Sequence, residues 1–137
     1  LGLLSGSAPK DLGVRDGKLK RPSSTPNSVS SQARSWPGEV EQAAFIEPLA
    51  LPAGLDGAAT MTKLAALIAS MDGARVVEAR PDYVYACFTT RLMKYVDDAE
   101  FWFDPALGKI QVRSASRLGR KDFGVNRARI EGLRARL

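Results

Sequence analysis

Histidine is absent from the sequence, and cysteine occurs once, at Cys87. Without imidazole there is no histidine general base and no Cys–His or Ser–His nucleophile pair. The two scarcities together exclude zinc sites assembled from cysteine and histidine. A single thiol rules out any disulfide within the chain and leaves the redox compartment open. Apolar runs are short, and none approaches the ~20 residues needed to span a bilayer. The first residues, Leu1-Gly2-Leu3-Leu4-Ser5-Gly6, fit the stub of a removed signal or a trimmed membrane anchor, and fit equally an arbitrary boundary in a soluble protein. Leu4-Ser5-Gly6-Ser7 is one residue away from a lipoprotein cleavage box, which needs cysteine where Ser7 stands.

What is present reads as one globular domain: 137 residues, 45% hydrophobic and 26% charged, enough for a single core. The net charge of +5 is unevenly placed. From Arg117 onward seven basic residues face only Asp122 and Glu131, so residues 1–116 balance. Attraction to an anionic partner is therefore expected at the C-terminal end.

Residues 1–38 read as an N-terminal arm, ahead of a single domain over 39–137. Between residues 5 and 38 there are eight serines and four prolines, with scattered anchors in Leu12, Val14, Leu19, Val29 and Trp36. Such a stretch buries too little apolar surface to offset the entropy of ordering, so it must be held by the rest of the chain. Pro48 and Pro52 restrict residues 39–55 to short pieces, and a strand or a helical turn around Phe45 fits equally. Met61, Leu64, Leu67, Ile68 and Met71 recur at helical spacing, with Thr60 as the expected N-cap and Gly73 as the terminator.

From Ala74 to Ala115 the period changes to two, predicting strands near 75–80, 83–95, 97–104 and 109–116. Connections this short require antiparallel neighbours. Placing Phe103 opposite Ile110 brings Phe101 opposite Val112 and Glu100 opposite Arg113, so that one face is apolar and the other pairs opposite charges. Val84, Ala86, Phe88 and Leu92 are expected inward; Tyr83, Tyr85, Cys87, Thr89 and Arg91 outward. The last stretch predicts a helix capped by Asn126, with Ile130, Leu133 and Leu137 docking on the sheet.

The segments "LGVRDGKL", "PNSVSSQA", "FTTRLMKYVDDAEF", "IQVRSASRLG" and "GVNRARIEGLR", in this order, resemble the bacterial and plastid domain-of-unknown-function family 1499, from Leu12 to Arg134. The resemblance implies a protein that is exported or attached to a membrane, and carries no established activity. Related sequences resemble "PCPxSPNCVSSQA", whereas Pro22 and Ser28 stand here at the two cysteine positions. Loss of both together fits a structural disulfide closing the arm's loop, worth ~2 to 3 kcal/mol. The arm of this chain is then held by hydrogen bonds and packing. Pro26, Asn27, Ser28, Ser30 and Ser31 are its expected loop-forming residues, through Asx and Ser/Thr turns. We expect it to cover the sheet face that carries Tyr83, Tyr85, Trp102, Arg91 and Arg113.

Several constellations bear on chemistry. Asp98 and Glu100 share a strand face opposite Asp97, which suits a divalent cation or a paired-carboxylate hydrolase; neutralisation by Arg91, Lys94 and Arg113 is the favoured reading. Arg113 and Arg117 share a face and could grip a phosphate, sulfate or carboxylate. Pairing with Glu100 and Asp98 is favoured for Arg113, and Arg117, near the strand's end and beyond those partners, is the better ligand candidate. A Ser–Lys dyad from Ser28, Ser30, Ser31, Ser114 or Ser116 with Lys18, Lys20 or Lys94 has no spacing to single it out. Cys87 reads as a small packed residue. The basic terminal helix lacks aromatic interleaving, so nucleic acid is not an expected partner; a membrane surface is better supported, and a solvated helix docked through Ile130, Leu133 and Leu137 is the favoured reading. Asn126 and Arg127 at its start could surround an anion.

The sequence therefore predicts an α+β domain: an antiparallel sheet of about four strands, a packed helix, a C-terminal helix and a long N-terminal loop arm. The leading expectation is a non-catalytic envelope or membrane-associated module, without cofactor or metal. It would bind a protein partner or membrane-bound complex through the arm and the Tyr83, Tyr85 and Trp102 face. The alternative is a small anionic or lipid-derived ligand held between arm and sheet by Arg91, Arg113, Arg117 and Arg127. An enzyme of unknown reaction ranks third, and a cytoplasmic location stays open.

Overall fold

The computed structural model describes residues 6–91 and 94–137. The short leader Leu1–Ser5 and the expected inward orientation of Leu92 lie outside the described residues. Elements run β1 (Ser28–Ser30), a 3-10 turn (Ala33–Ser35), α1 (Glu39–Ala43), β2 (Leu49–Ala50), α2 (Gly57–Ala69), β3 (Ala74–Arg80), β4 (Tyr83–Thr89), β5 (Val96–Asp104), β6 (Lys109–Ser116) and α3 (Val125–Arg136). They make an α+β fold around one antiparallel sheet of six strands, ordered β1-β6-β5-β4-β3, with β2 also on β6.

The meander β3 to β6 follows the period-two pattern, and the β5–β6 register is the predicted one, with Phe103 opposite Ile110 and Glu100 opposite Arg113. The count of about four strands falls short because β6 does not remain an edge. Its outer backbone groups are taken by β1, at Val29 opposite Ser114, and by β2, at Leu49 opposite Ile110. An eight-residue edge left open would expose a row of unpaired N–H and C=O groups, and two short segments close it. β1 lies in the arm, which the sequence predicts as loop, and β2 in the stretch it restricts to short pieces; two or three residues cannot show an alternation. β4 stops at Thr89, short of the expected 95: Thr90 N–H donates to the Tyr95 carbonyl at 2.8 Å and Tyr95 N–H to Thr90 Oγ1 at 2.9 Å, closing a turn.

Both long helices pack on one face. Met61, Leu64 and Ile68 of α2 and Ile130 and Leu133 of α3 meet Val84, Phe88, Phe101, Ile110 and Val112 of the sheet, all buried. Each such side chain contributes about 2 kcal/mol of apolar transfer. Among the described residues no helix is long and apolar enough to cross a membrane.

Three helix ends differ from expectation. Asp56, not Thr60, caps α2: its carboxylate accepts from Ala59 N–H at 2.8 Å, and Thr60 sits a turn inside, donating to the Asp56 carbonyl. Gly57–Ala59 extend the helix upstream of the apolar stripe that located it. α2 ends at Ala69 with Ser70 at its C-cap, ahead of the expected terminator; Gly73 instead turns the chain into β3, at a left-handed φ of 76° where a Cβ would lie 2.5 Å from the Thr89 carbonyl oxygen. Asn126 is the second residue of α3 rather than its cap; Gly124 stands at the cap and Asp122 accepts from the Gly124 and Asn126 N–H groups.

Candidate functional site

The face of the sheet away from the helices carries Tyr83, Tyr85 and Cys87 on β4, Asp98, Glu100 and Trp102 on β5, and Gln111 and Arg113 on β6. The register places Tyr83 beside Trp102 and Tyr85 beside Glu100. This polar face is nevertheless buried: Tyr83 is 3%, Glu100 1% and Arg113 4% exposed. The arm covers it. Gly13 N–H donates to Glu100 Oε2 at 2.6 Å, Arg113 Nε donates to the Arg21 carbonyl at 3.1 Å, and Leu19 is fully buried between them in sequence.

Polar side chains fasten the arm, as its composition requires. Gln32 bridges two of its carbonyl and amide groups, accepting from Leu19 N–H and donating to the Gly17 carbonyl, each at 2.9 Å. Ser28 Oγ accepts from Ser23 N–H at 3.0 Å, closing the loop beside Pro22, and Ser31 Oγ donates to Gln111 Oε1 at 2.7 Å. Ser30 makes the local turn expected of it, accepting from Gln32 N–H. Asn27 reaches further than an Asx turn: its Nδ2 donates to the Gly119 carbonyl at 2.7 Å, and its carbonyl accepts from Ser116 N–H. Pro26 is exposed, beside Arg127 in a shallow groove.

The two arginines of this face have exchanged the roles their sequence positions predict. Arg117, expected to be free, clamps Asp98 bidentately, with Nε at 2.8 Å and Nη2 at 3.0 Å. That pair raises the Arg117 pKa further above its ordinary value. Tyr85 donates to the same carboxylate at 2.5 Å, and burial followed by Asp98 pushes its phenol pKa up. Cys87 packs against this cluster, buried, and desolvation raises its thiol pKa.

Arg113, expected to pair with Glu100, makes no ion pair among the described residues. Glu100 directs Oε2 to Tyr83 Oη at 2.5 Å and to Gly13, while Oε1 has no hydrogen-bond partner among the described residues. Burial raises the Glu100 pKa, against the pull of those two donors; burial likewise lowers that of Arg113, against the attraction of Glu100.

Arg113 forms part of the wall of an open cavity of about 1010 Å³ lined mostly by the arm. Arg15, Lys18, Lys20 and Arg21 also line it, against three carboxylates, Asp11, Asp16 and Glu41. Two of the cations are committed: Lys20 to Asp11 at 2.9 Å, which holds that carboxyl below its ordinary pKa, and Arg21 to Glu41 at 3.1 Å. Lys18 lies 5.2 Å from the Trp36 ring centre, and the Trp36 Nε1 is buried without a hydrogen-bond partner among the described residues. The site thus combines a positive balance, an aromatic ring and a buried guanidinium with no carboxylate in ion-pair range among the described residues.

The remaining candidates lie elsewhere. Arg91 is exposed, 3.5 Å from Asp72; Arg127 is exposed on α3; Trp102 is half-buried on the outer face. Arg91, Arg113, Arg117 and Arg127 thus occupy four places rather than one pocket. Asn126 is wholly buried and bonded to Ser114, Ser116, Asp122 and Arg129. Asp97 pairs with Arg129 at 2.8 Å on the helix side, so the three carboxylates do not converge, and no group that could hold a metal ion occurs among the described residues. Sequence reasoning missed the cations of the arm. Residues 10–21 carry five basic side chains against two acidic ones, a local excess hidden by the charge balance of residues 1–116.

The family model described as Protein of unknown function (DUF1499) matches residues 18–137, and the chain belongs to that family. No curated protein and no solved structure matches it.

Proposed function

We propose that this member of the family is a non-catalytic binding module for a small anionic ligand, held in the arm groove against Arg113. One observation carries the reading: a guanidinium 4% exposed, on the wall of an open cavity, with no carboxylate in ion-pair range among the described residues. An unpaired buried charge costs several kcal/mol, and a carboxylate, phosphate or sulfate entering the groove removes that cost through charge-assisted hydrogen bonds. Lys18 and Arg15, which also lack carboxylate partners among the described residues, supply further attraction at the rim. Docking of a protein partner through Tyr83, Tyr85 and Trp102 has less support, since Tyr83 lies beneath the arm and Tyr85 is spent on Asp98.

The test uses the two tryptophans. Titration with inorganic phosphate and with citrate is expected to change the fluorescence of Trp36 saturably, in wild type and in Trp102→Phe, and not in Trp36→Phe. Arg113→Gln abolishes the response and Lys18→Ala weakens it about tenfold, the worth of one partly desolvated charge. A response unchanged in Arg113→Gln, or no saturable response to either anion, rejects the reading.

A further inference from the structure

The groove leaves unused the loop that joins β6 to α3. Phe123 is 94% exposed and holds a φ of 53°, a left-handed conformation disfavoured for any side chain. Leu118 at 39% and Val125 at 42% are exposed beside it, and the three line a shallow groove of about 220 Å³ together with Tyr95. Single exposed apolar residues are ordinary on a protein surface; a contiguous group crowned by a projecting phenylalanine is not.

The exposed charges next to Phe123 in sequence have one sign. Arg120, Lys121 and Arg127, all within four residues of it, are exposed, and Asp97, which also lines the groove, is buried against Arg129. The acid within the loop, Asp122, is turned inward: its carboxylate accepts from Gly124 N–H at 3.0 Å, Asn126 N–H at 3.1 Å and Asn126 Nδ2 at 2.8 Å. Burial opposes ionisation of Asp122, but these donors prevail and hold its pKa below the ordinary value, so it stays an internal cap. Arg117, at the loop's start, is likewise neutralised by Asp98. What faces outward is an apolar tip within a cationic rim.

We infer that the 118–125 loop is a peripheral anchor that seats on the surface of an anionic lipid bilayer, with Phe123 entering the headgroup–acyl boundary and Arg120, Lys121 and Arg127 meeting the lipid phosphates. An apolar wedge ringed by basic side chains is the arrangement by which surface-bound proteins combine burial with attraction to a negative leaflet. A protein partner's apolar pocket would satisfy Phe123 but would not by itself account for the one-signed rim. The inference is independent of the arm groove.

Co-sedimentation of the full chain with phosphatidylglycerol–phosphatidylcholine vesicles tests it. Wild type is expected in the pellet with these vesicles and in the supernatant with phosphatidylcholine alone. Phe123→Ser lowers partitioning by about tenfold, from loss of one large apolar side chain. Arg120→Gln with Lys121→Gln lowers it by ten- to about thirtyfold. Both variants alter exposed side chains and should keep the wild-type melting temperature. Arg113→Gln should bind vesicles like wild type, which separates bilayer seating from capture of a lipid headgroup by the arm groove. Equal binding to both vesicle types, binding by Phe123→Ser equal to wild type, or loss of binding in Arg113→Gln overturns the proposal. So does a concentration-dependent dimer that Phe123→Ser dissolves, since a second copy of the chain would then occupy the patch.

Discussion

The two faces of the sheet each bury a polar layer, and the layers differ in completeness. Under α3, Arg129 donates to Asp97 at 2.8 Å and to Asn126 Oδ1 at 2.9 Å, Ser114 donates to the same Oδ1 at 2.6 Å, and the guanidinium stacks 4.4 Å from the Phe88 ring centre. Asn126 Nδ2 reaches Asp122, Ser116 and the Asn27 carbonyl. Under the arm, Glu100 Oε1 and Trp36 Nε1 are left without partners among the described residues, and Arg113 uses only Nε. The same strands supply both layers, with Asp97 and Ser114 on one side and Glu100 and Arg113 on the other. A polar network completed from within fixes structure; one left short of partners keeps binding capacity for something not yet bound. On the proposed reading, that contrast gives Arg129 to the fold and Arg113 to the binding groove, although both are nearly buried arginines.

The largest predicted effect breaks the closed side. Arg129→Ala leaves Asp97 charged and buried, so unfolding in urea should show a loss of about 3 to 5 kcal/mol, with Asp97→Ala similar and the double variant well short of the sum. Arg113→Gln removes a buried charge that has no ion-pair partner among the described residues, and should leave stability unchanged or raise it by up to several kcal/mol. Equal losses in Arg129→Ala and Arg113→Gln would erase the distinction between the faces.

An intermediate effect is expected where the arm crosses between the layers. Asn27 is bonded to residues on both sides of the chain's last turn, and Asn27→Ala strands the Gly119 carbonyl that its Nδ2 satisfies. The expected cost is about 1 to 3 kcal/mol, with faster proteolytic cleavage of residues 13–25 at unchanged sheet content. Cleavage at the wild-type rate would mean the arm is held by Gly13, Gln32 and Leu19 without this clasp.

How far these layers can be read from sequence follows from the range of each interaction. The β5–β6 hairpin was legible because its alternation and four-residue connection leave one register in which both Phe101 and Val112 face the core. The stripes Met61, Leu64, Ile68 and Ile130, Leu133 located both long helices for the same local reason. β1 was not legible: Ser28-Val29-Ser30 is too short and too polar to read as a strand, and pairs only because β6 offers it an edge. Register also misled at Glu100. It correctly set Arg113 opposite, but a carboxylate takes whichever donor reaches it, and Gly13, 87 positions away, together with Tyr83, reached Oε2. Arg117 fell to Asp98 by the same logic, through a diagonal contact that opposite-residue pairing does not count. The groove's cations lie in a segment whose disorder-prone composition drew attention to how it is held rather than to what it carries.

The smallest effect sharpens the comparison most, because its sign is diagnostic. Burial raises the Glu100 pKa, so the folded chain keeps this proton to higher pH than the unfolded chain does. Well below the ordinary carboxylate pKa, at about pH 3, both states are essentially neutral at this position and no penalty exists. As pH rises, the unfolded state ionises first, and stability falls until the folded pKa is passed; the deficit then persists at neutral pH. Glutamine cannot ionise and keeps an acceptor for Tyr83 and Gly13. Glu100→Gln should therefore be more stable than wild type at pH 7, with the difference shrinking towards about pH 3 in paired urea titrations. It should also bind phosphate more tightly, since the one negative charge set across from Arg113 is gone. If the variant is instead less stable at pH 7, the Glu100 carboxylate already serves as the counter-ion of Arg113 at longer range. The outer face is then as closed as the inner one, and an anion has no vacancy to fill.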